Sequence, residues 1–139
     1  MRVVLDTNVL LSAILFAGTP GQILDAWRTG EVELVMAPDI VDEYVRVAER
    51  LEERYANVDI QPMIALVVQN ATLVPTVHLP TPVCDDPDDD KFLACARGSR
   101  TNIVVSGDKK LCAVSGYEGI RVLTPRQFVD QHLAESGTG

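Results

Sequence analysis

Four acidic residues spread over most of the chain have side chains that could bind a divalent metal ion. They are Asp6, Glu43, Asp90 and Asp108. Each lies where an apolar segment begins, ends or borders a turn. Carboxylate oxygens are the ligands that Mg²⁺ and Mn²⁺ prefer. The sequence therefore predicts a metal-binding pocket of carboxylates, provided that the fold brings these four positions together.

Asp6 carries the clearest signal, because it follows a short apolar run, Arg2 to Leu5, that is rich in β-branched residues. Such a run predicts a buried strand. In open α/β sheets, ligands collect at the carboxyl ends of the strands. The alternative is that Asp6 only caps the next helix, since aspartate is a preferred N-cap residue.

Glu43 lies on a predicted helix that begins at Pro38 and extends to about Tyr55. It falls at the rim of the apolar stripe of that helix, from which a carboxylate can point across the edge of a sheet. The alternative is a solvated partner for Arg46 or Arg50. A surface ion pair of that kind contributes little to stability.

The densest group of charges is the run Asp85-Asp86-Pro87-Asp88-Asp89-Asp90. Pro87 can take the first position of a helix with Asp86 as its N-cap. One cap and one further acid would suffice there, and adjacent like charges repel each other, so the surplus charge indicates a cation. Asp90 is the preferred ligand, because the apolar helix face that follows it would anchor the helix and hold the carboxylate in place. Asp86 and Asp89 are alternative or supporting ligands.

Asp108 follows another predicted buried strand, Thr101 to Val105, after a Ser-Gly pair. A second acid is thus expected at the carboxyl end of a strand. The structural alternative is a tight turn, because Gly107 permits positive φ and aspartate favours turn geometry.

The remaining segments predict the elements that hold these acids in place. Helices and strands alternate along the chain, which indicates an α/β domain. The further predicted strands are 31–36, 71–74 and 121–123. The further predicted helices are 9–16, 22–29 after an interruption at 18–21, 61–70, and a last helix that a capping box opens at Thr124. The proline-rich stretch 75–83 is expected to cross the surface.

The length and composition of the chain are those of a single globular domain. The chain has 139 residues, of which 47% are hydrophobic and 23% charged, which is enough for one compact domain. We expect that domain to span 1–135, followed by a flexible tail at 136–139. Without an apolar run of membrane-spanning length or a secretory leader pattern, the protein is expected to be cytoplasmic and not to bind membranes. The three cysteines lack the spacing of a disulfide framework or zinc site.

The net charge of −8, from 20 acidic and 12 basic residues, disfavours non-specific binding of nucleic acid because phosphates repel such a surface. The charges are unevenly placed, however. Five acids lie within 85–90, whereas Arg46, Arg50 and Arg54 recur at every fourth position of one predicted helix. A bound Mg²⁺ or Mn²⁺ would offset part of the acidic cluster and attract phosphate.

In chain order, residue type and spacing, these landmarks resemble the PIN-domain ribonucleases over nearly the whole chain. The matching segments are Leu5-Asp6-Thr7-Asn8-Val9-Leu10, the helical Pro38 and Glu43, Asp86-Pro87-Asp88-Asp89-Asp90-Lys91-Phe92-Leu93-Ala94, and Val104-Val105-Ser106-Gly107-Asp108. The Asp-Pro-x-Asp-Asp-x-Phe-Leu form is similar to the toxin components of bacterial and archaeal toxin–antitoxin systems, related to the VapC-type toxins.

The resemblance implies a three-layer domain with a central, mostly parallel sheet flanked by helices. It also implies an Mg²⁺- or Mn²⁺-dependent endoribonuclease that leaves 5′-phosphate and 3′-hydroxyl ends. Such an enzyme usually works as a homodimer and is silenced by a cognate antitoxin protein. Its substrate is RNA.

The same resemblance assigns roles to individual residues. Asp6 and Asp90 are expected to be the principal metal ligands, Asp108 a ligand of a second ion or an outer contact, and Glu43 an acid that acts through water. Asn8 and Ser106 would support this network. Weaker candidates for contacts with the RNA backbone, which could equally be ordinary solvated charges, are Arg46, Arg50, Lys109 and Lys110.

Two other functions fit parts of the pattern. An aspartyl-phosphate phosphatase of the haloacid dehalogenase type also begins with an apolar strand that ends in aspartate, but it needs a second aspartate where this chain has Asn8. A non-catalytic module of the same fold could bind RNA or protein. The presence of all four acids argues against loss of activity, whereas the negative net charge keeps this alternative open.

Overall fold

Five apolar segments of the chain pair in parallel to form one sheet. The computed structural model describes residues 1–133, and within that range the strand order is β3-β2-β1-β4-β5. The strands are β1 (Arg2–Leu5), β2 (Glu33–Met36), β3 (Thr72–Leu73), β4 (Ile103–Val105) and β5 (Arg121–Leu123). The central strands β1 and β4 are almost wholly buried, as parallel strands covered by helices must be.

Helices connect and cover the strands. In the described part of the chain they are α1 (Thr7–Phe16), α2 (Gly18–Arg28), α3 (Pro38–Arg54), α4 (Gln61–Gln69), α5 (Asp90–Gly98), α6 (Lys109–Cys112) and α7 (Pro125–Phe128). Helix α5 packs against β1, β2 and β4, while α1 contacts α2 and α3. The predicted α/β fold, with a parallel sheet flanked by helices, is confirmed.

Helix α3 brings Glu43 close to the end of β1. The helix buries Ile40, Tyr44 and Ala48, which recur every fourth residue and form one apolar stripe. The buried hydroxyl of Tyr44 donates a hydrogen bond of 2.6 Å to the carbonyl oxygen of Leu5, the last residue of β1. This bond anchors α3 at the carboxyl end of the central strand.

The order of the strands reverses between β1 and β4. From β1 the chain proceeds outward to β2 and β3, then returns to β4 on the other side of β1. The backbone N–H of Asp6 donates a hydrogen bond of 2.9 Å to the carbonyl oxygen of Val105. Strands β1 and β4 are therefore hydrogen-bonded as far as their carboxyl ends. In open α/β sheets, the crevice outside such a reversal is the usual place for a ligand.

Several predicted boundaries were wrong. Strand β2 begins at Glu33 rather than at 31, and β4 begins at Ile103 rather than at Thr101. Helix α2 begins at Gly18 rather than Gln22. The chain already turns at Ala17 and Gly18, which both have positive φ. Pro20 is compatible with the first turn of the helix, where its missing N–H would have no partner in any case. The predicted strand at 71–74 pairs only at Thr72–Leu73.

The predicted caps are confirmed. Oδ1 of Asp86 accepts a hydrogen bond of 3.0 Å from the N–H of Asp88 and caps a short 3₁₀ turn that leads into α5. Thr124 and Gln127 form the capping box that opens α7.

The predicted tail at 136–139 and the end of the predicted domain at 135 lie outside the described residues. Within residues 1–133 no single helix is long and apolar enough to cross a membrane, and α1 with α2 would suffice only as a pair bent by 92°.

Candidate active site

The side chains of Asp6 and Ser106 meet where the strand order reverses. Oγ of Ser106 donates to Oδ2 of Asp6 at 2.6 Å and accepts from the N–H of Asp108 at 3.0 Å. Ser106 is fully buried, and Asp6 is 7% exposed. Asp6 does occupy the N-cap position of α1, but its carboxylate makes no hydrogen bond that caps the helix. Its carboxylate is held by the end of β4 instead.

Asp6, Asp89 and Asp108 form one electrostatic group. Burial raises the pKa of Asp6, the hydrogen bond from Ser106 opposes this, and the charges of Glu43 and Asp108 raise it further. Burial and then the charges of Asp108 and Asp6 raise the pKa of Asp89 to about 6. The negative charge of Asp108 thus disfavours the ionised forms of Asp6 and Asp89, and a cation bound among these carboxylates would offset that repulsion.

Asp90 lies at the start of α5, as predicted, but its carboxylate also holds the backbone of the segment before it. Its Oδ1 accepts a hydrogen bond of 2.8 Å from the N–H of Cys84, and its Oδ2 accepts one of 3.2 Å from the N–H of Val83. Both oxygens therefore fasten the proline-rich segment to the start of α5. The neighbouring acid, Asp89, differs from Asp90 by one helical step of about 100°, and the charges of Asp108 and Asp6 help to raise its pKa.

Glu43 is held by two residues that the sequence analysis did not single out. Its Oε2 accepts a hydrogen bond from the hydroxyl of Thr7, and its Oε1 lies 2.6 Å from Nζ of Lys91. Lys91 also pairs with Oδ1 of Asp88 at 2.9 Å. Burial alone would lower the pKa of Lys91, but the hydrogen bonds to Glu43 and Asp88 outweigh it and the pKa is raised. The same lysine lowers the pKa of Asp88.

The remaining predicted residues lie around this group. Asn8 is exposed at the start of α1, and no hydrogen bond joins its side chain to Asp6 in the described part of the chain. Arg46 is exposed, but its charge helps to lower the pKa of Asp88. The other predicted contacts with RNA are exposed too: Arg50 on α3, and Lys109 and Lys110 at the start of α6 beside Asp108.

The oxygen donors of a metal site are present here, but the side chains are not arranged as a complete coordination site. Within residues 1–133, no three carboxylate, imidazole or thiol side chains are grouped so that they could hold an ion as they stand. The donor chemistry nevertheless fits Mg²⁺ or Mn²⁺, which take oxygen ligands and keep several waters. Asp6, Asp89 and Asp108 supply such oxygens, and the charge of Asp108 raises the pKa of both Asp6 and Asp89.

Known proteins with similar sequences extend these observations. The family model described as PIN domain matches residues 2–110, a range that contains every acid of the site. The chain is also similar to the uncharacterized protein MJ1680 of Methanocaldococcus jannaschii. The two are 27% identical over 142 residues, which cover 94% of this chain and 91% of that protein.

Proposed function

The chain belongs to the PIN-domain family, whose members are generally nucleases, and from this premise we propose that it is a metal-dependent endoribonuclease. It hydrolyses phosphodiester bonds of RNA and leaves 5′-phosphate and 3′-hydroxyl ends. One observation carries the proposal: Ser106 joins Asp6 to the backbone of Asp108 at the reversal of the strand order, and Asp89 shares their electrostatic environment.

Asp6, Asp89 and Asp108 are the ligands in this proposal, and Asp90 is a structural residue. The assignment of Asp89 is supported by the charges of Asp108 and Asp6, which raise its pKa, whereas the Asp90 oxygens already accept two backbone hydrogen bonds. When bound, Mg²⁺ or Mn²⁺ supplies positive charge to the phosphate and lowers the pKa of a water molecule.

The side chains of the protein provide position and charge. Glu43, fixed between Thr7 and Lys91, orients the attacking water. The water gives up a proton to solvent as its oxygen bonds to phosphorus, the bond from phosphorus to the 3′-oxygen breaks, and the 3′-oxygen takes up a proton from solvent. Exposed basic side chains bind neighbouring phosphates of the substrate; these are Arg46, Arg50, Lys109 and Lys110.

We also propose that the nuclease is the toxin of a toxin–antitoxin pair. The support is the Asp-Pro-x-Asp-Asp-x-Phe-Leu motif at 86–93, which is similar to that of VapC-related toxins. In this role it acts in the cytoplasm as a homodimer that a cognate antitoxin protein inhibits. Expression of the chain alone should arrest growth, and co-expression of the product of an adjacent small gene should relieve the arrest.

The decisive experiment for the nuclease is cleavage of a mixed RNA pool by the purified protein. The reactions contain Mn²⁺ or EDTA, and the protein is wild type, Asp89→Asn or Asp90→Asn. We expect cleavage that requires Mn²⁺ and Asp89 and that leaves 5′-phosphates. If the protein binds Mn²⁺ yet cuts no RNA after removal of any bound antitoxin, the non-catalytic alternative is favoured.

A further inference from the structure

A lysine side chain lies among the acids of the candidate active site. Nζ of Lys91, at the start of α5, is 2.6 Å from Oε1 of Glu43 and 2.9 Å from Oδ1 of Asp88. Its ammonium therefore joins carboxylates from two elements, α3 and the short turn that precedes α5. The Lys91 side chain is only 10% exposed, so water screens this charge poorly and its neighbours feel it strongly.

The two carboxylates that Lys91 binds are electrostatic neighbours of the proposed metal ligands. The charge of Glu43 raises the pKa of Asp6, and the charge of Asp88 raises the pKa of Asp89. Lys91 acts in the opposite direction, since it lowers the pKa of Asp88. The lysine is thus separated from Asp6 by one carboxylate and from Asp89 by another.

The acids of the site therefore divide into two sets. In the first set, three acids form no ion pair with a basic side chain of the described residues. They are Asp6, Asp89 and Asp108. The second set is Glu43 and Asp88, which share Lys91. Oε2 of Glu43 also accepts a hydrogen bond from the hydroxyl of Thr7, so both oxygens of Glu43 already have partners. Only the first set is free to bind a metal ion.

This division bears on the number of metal ions in the site. In nucleases that use two ions, both ions stabilise the same reacting phosphate, and each needs oxygen ligands of its own. Mg²⁺ is usually bound through one or two carboxylates together with substrate phosphates, so the first set suffices for one ion. The ammonium of Lys91 has three N–H donors. Within residues 1–133 only Glu43 and Asp88 supply acceptors to it, which leaves a donor for a phosphate oxygen.

We propose that the site binds a single Mg²⁺ or Mn²⁺ ion through Asp6, Asp89 and Asp108, and that the Lys91 ammonium takes the place of a second ion. Lys91 supplies fixed positive charge to the phosphate of the substrate. The inference rests on the proposed nuclease function and specifies the metal content of its site. If Lys91 only fastened α3 to α5 (Asp90–Gly98), its removal would not change the number of bound ions.

The metal content of the protein tests the inference without catalysis. The purified protein is dialysed against Mn²⁺, and the manganese bound per chain is measured by mass spectrometry. We expect one ion in wild type, with the electron paramagnetic resonance spectrum of an isolated ion. Lys91→Met should bind a second ion, because the carboxylates of Glu43 and Asp88 lose their cation, and its spectrum should show a coupled pair. Lys91→Arg keeps the charge and should bind one ion.

Two further variants serve as controls. Lys91→Met/Glu43→Gln should return to one ion, because the second set of acids then lacks a carboxylate. Arg97→Met also removes a cation of α5 from a pair with a glutamate, since Nε of Arg97 lies 2.9 Å from Oε2 of Glu118, but it does so in the last turn of that helix. It should bind one ion. Circular dichroism checks that each variant is folded, and the wild-type count requires no substitution.

Two results would overturn the inference. The first is two bound ions in wild type, and the second is an unchanged count of one ion in folded Lys91→Met protein. The nuclease proposal fails separately, if wild type binds one ion that depends on Lys91 as expected but cuts no RNA. Cleavage by a wild-type protein that holds two ions would defeat only the inference about Lys91, whereas failure to bind any manganese would defeat both.

Discussion

Nζ of Lys91 lies 2.6 Å from Oε1 of Glu43 at the rim of the acidic site. The two side chains are only 10% and 14% exposed, so water screens their charges poorly. Lys91 also pairs with Asp88. The chain thus places one positive charge of its own among the carboxylates and fixes Glu43 before any metal ion binds.

Replacement of Lys91 by Met should therefore destabilise the protein. The change leaves Glu43 in a poorly solvated place without its cation, which costs about 3 kcal/mol in comparable buried pairs. Urea unfolding gives the free energy. The double variant Lys91→Met/Glu43→Gln should recover much of this loss, because no unpaired charge remains. If the two single effects simply add, the pair is not coupled in solution.

Replacement of Asp89 and of Asp90 should have opposite consequences. Asp89→Asn should reduce Mn²⁺-dependent cleavage by more than about a hundredfold, since loss of a residue that only supports a metal ligand already costs about 10- to 100-fold. Its thermal stability should stay equal or rise. Asp90→Asn should keep most activity but lose about 1 to 2 kcal/mol, because an amide is a poorer acceptor for the N–H groups of Val83 and Cys84.

Cleavage rates and melting temperatures of the same two preparations check this assignment. The reverse pattern, with an inactive Asp90→Asn protein and a fully active Asp89→Asn protein, would restore Asp90 as the ligand.

The metal-free protein should lose stability as the pH rises from about 4 to about 6. Burial and neighbouring charges raise the pKa of Asp89 from 3.8 in the unfolded chain to about 6 in the folded protein. Between these values the folded state binds more protons than the unfolded state. The contribution of Asp89 to the free energy of unfolding is therefore complete below pH 3.8 and is lost as the pH rises to about 6. Melting temperatures in EDTA should show this decline in wild type and a smaller one in Asp89→Asn.

A melting temperature of wild type that rises over that interval more steeply than that of Asp89→Asn would contradict this sign. Addition of Mn²⁺ above the upper pKa should reverse the decline, because an ion that binds only the folded state stabilises it.

Ser106→Ala should weaken the metal site as well as the fold. The hydroxyl is buried, donates to Asp6 and accepts from the N–H of Asp108, so its loss leaves two groups unsatisfied at about 1 to 3 kcal/mol. The pKa of Asp6 should rise further, because the bond from Ser106 lowers it. Calorimetry should show about tenfold weaker Mn²⁺ binding.

The matched control is Ser99→Ala, which also removes a hydrogen-bonding hydroxyl, one that donates to the backbone carbonyl of Cys95 at the end of α5. It should reduce stability but leave the affinity for Mn²⁺ unchanged. An equal effect of both substitutions on that affinity would assign Ser106 a purely structural role.

Local patterns predicted the positions of Asp6 and Asp108 well. Each follows a short apolar run, and such a run predicts a buried strand without knowledge of the rest of the fold. The same holds for the cap formed by Asp86, which depends on residues within two positions. The parallel sheet then follows from the alternation of strands and helices.

The different hydrogen bonding of Asp89 and Asp90 could not be predicted from local sequence. Both are acids at the start of α5, and what separates them is the approach of the N–H groups of Val83 and Cys84, which depends on the path of the proline-rich segment. Likewise, Lys91 meets Glu43 across 48 positions of the chain. Pairings at such separations depend on the packing of α3 against α5.

The bond between Ser106 and Asp6 joins residues 100 positions apart. During synthesis, Asp6 leaves the ribosome long before its partner strand exists, and β1 has only half of its eventual neighbours until β4 arrives. The acids of the site cannot assemble before that moment. Under the proposed function, a nascent chain therefore could not cut RNA until β4 had been made and had paired with β1.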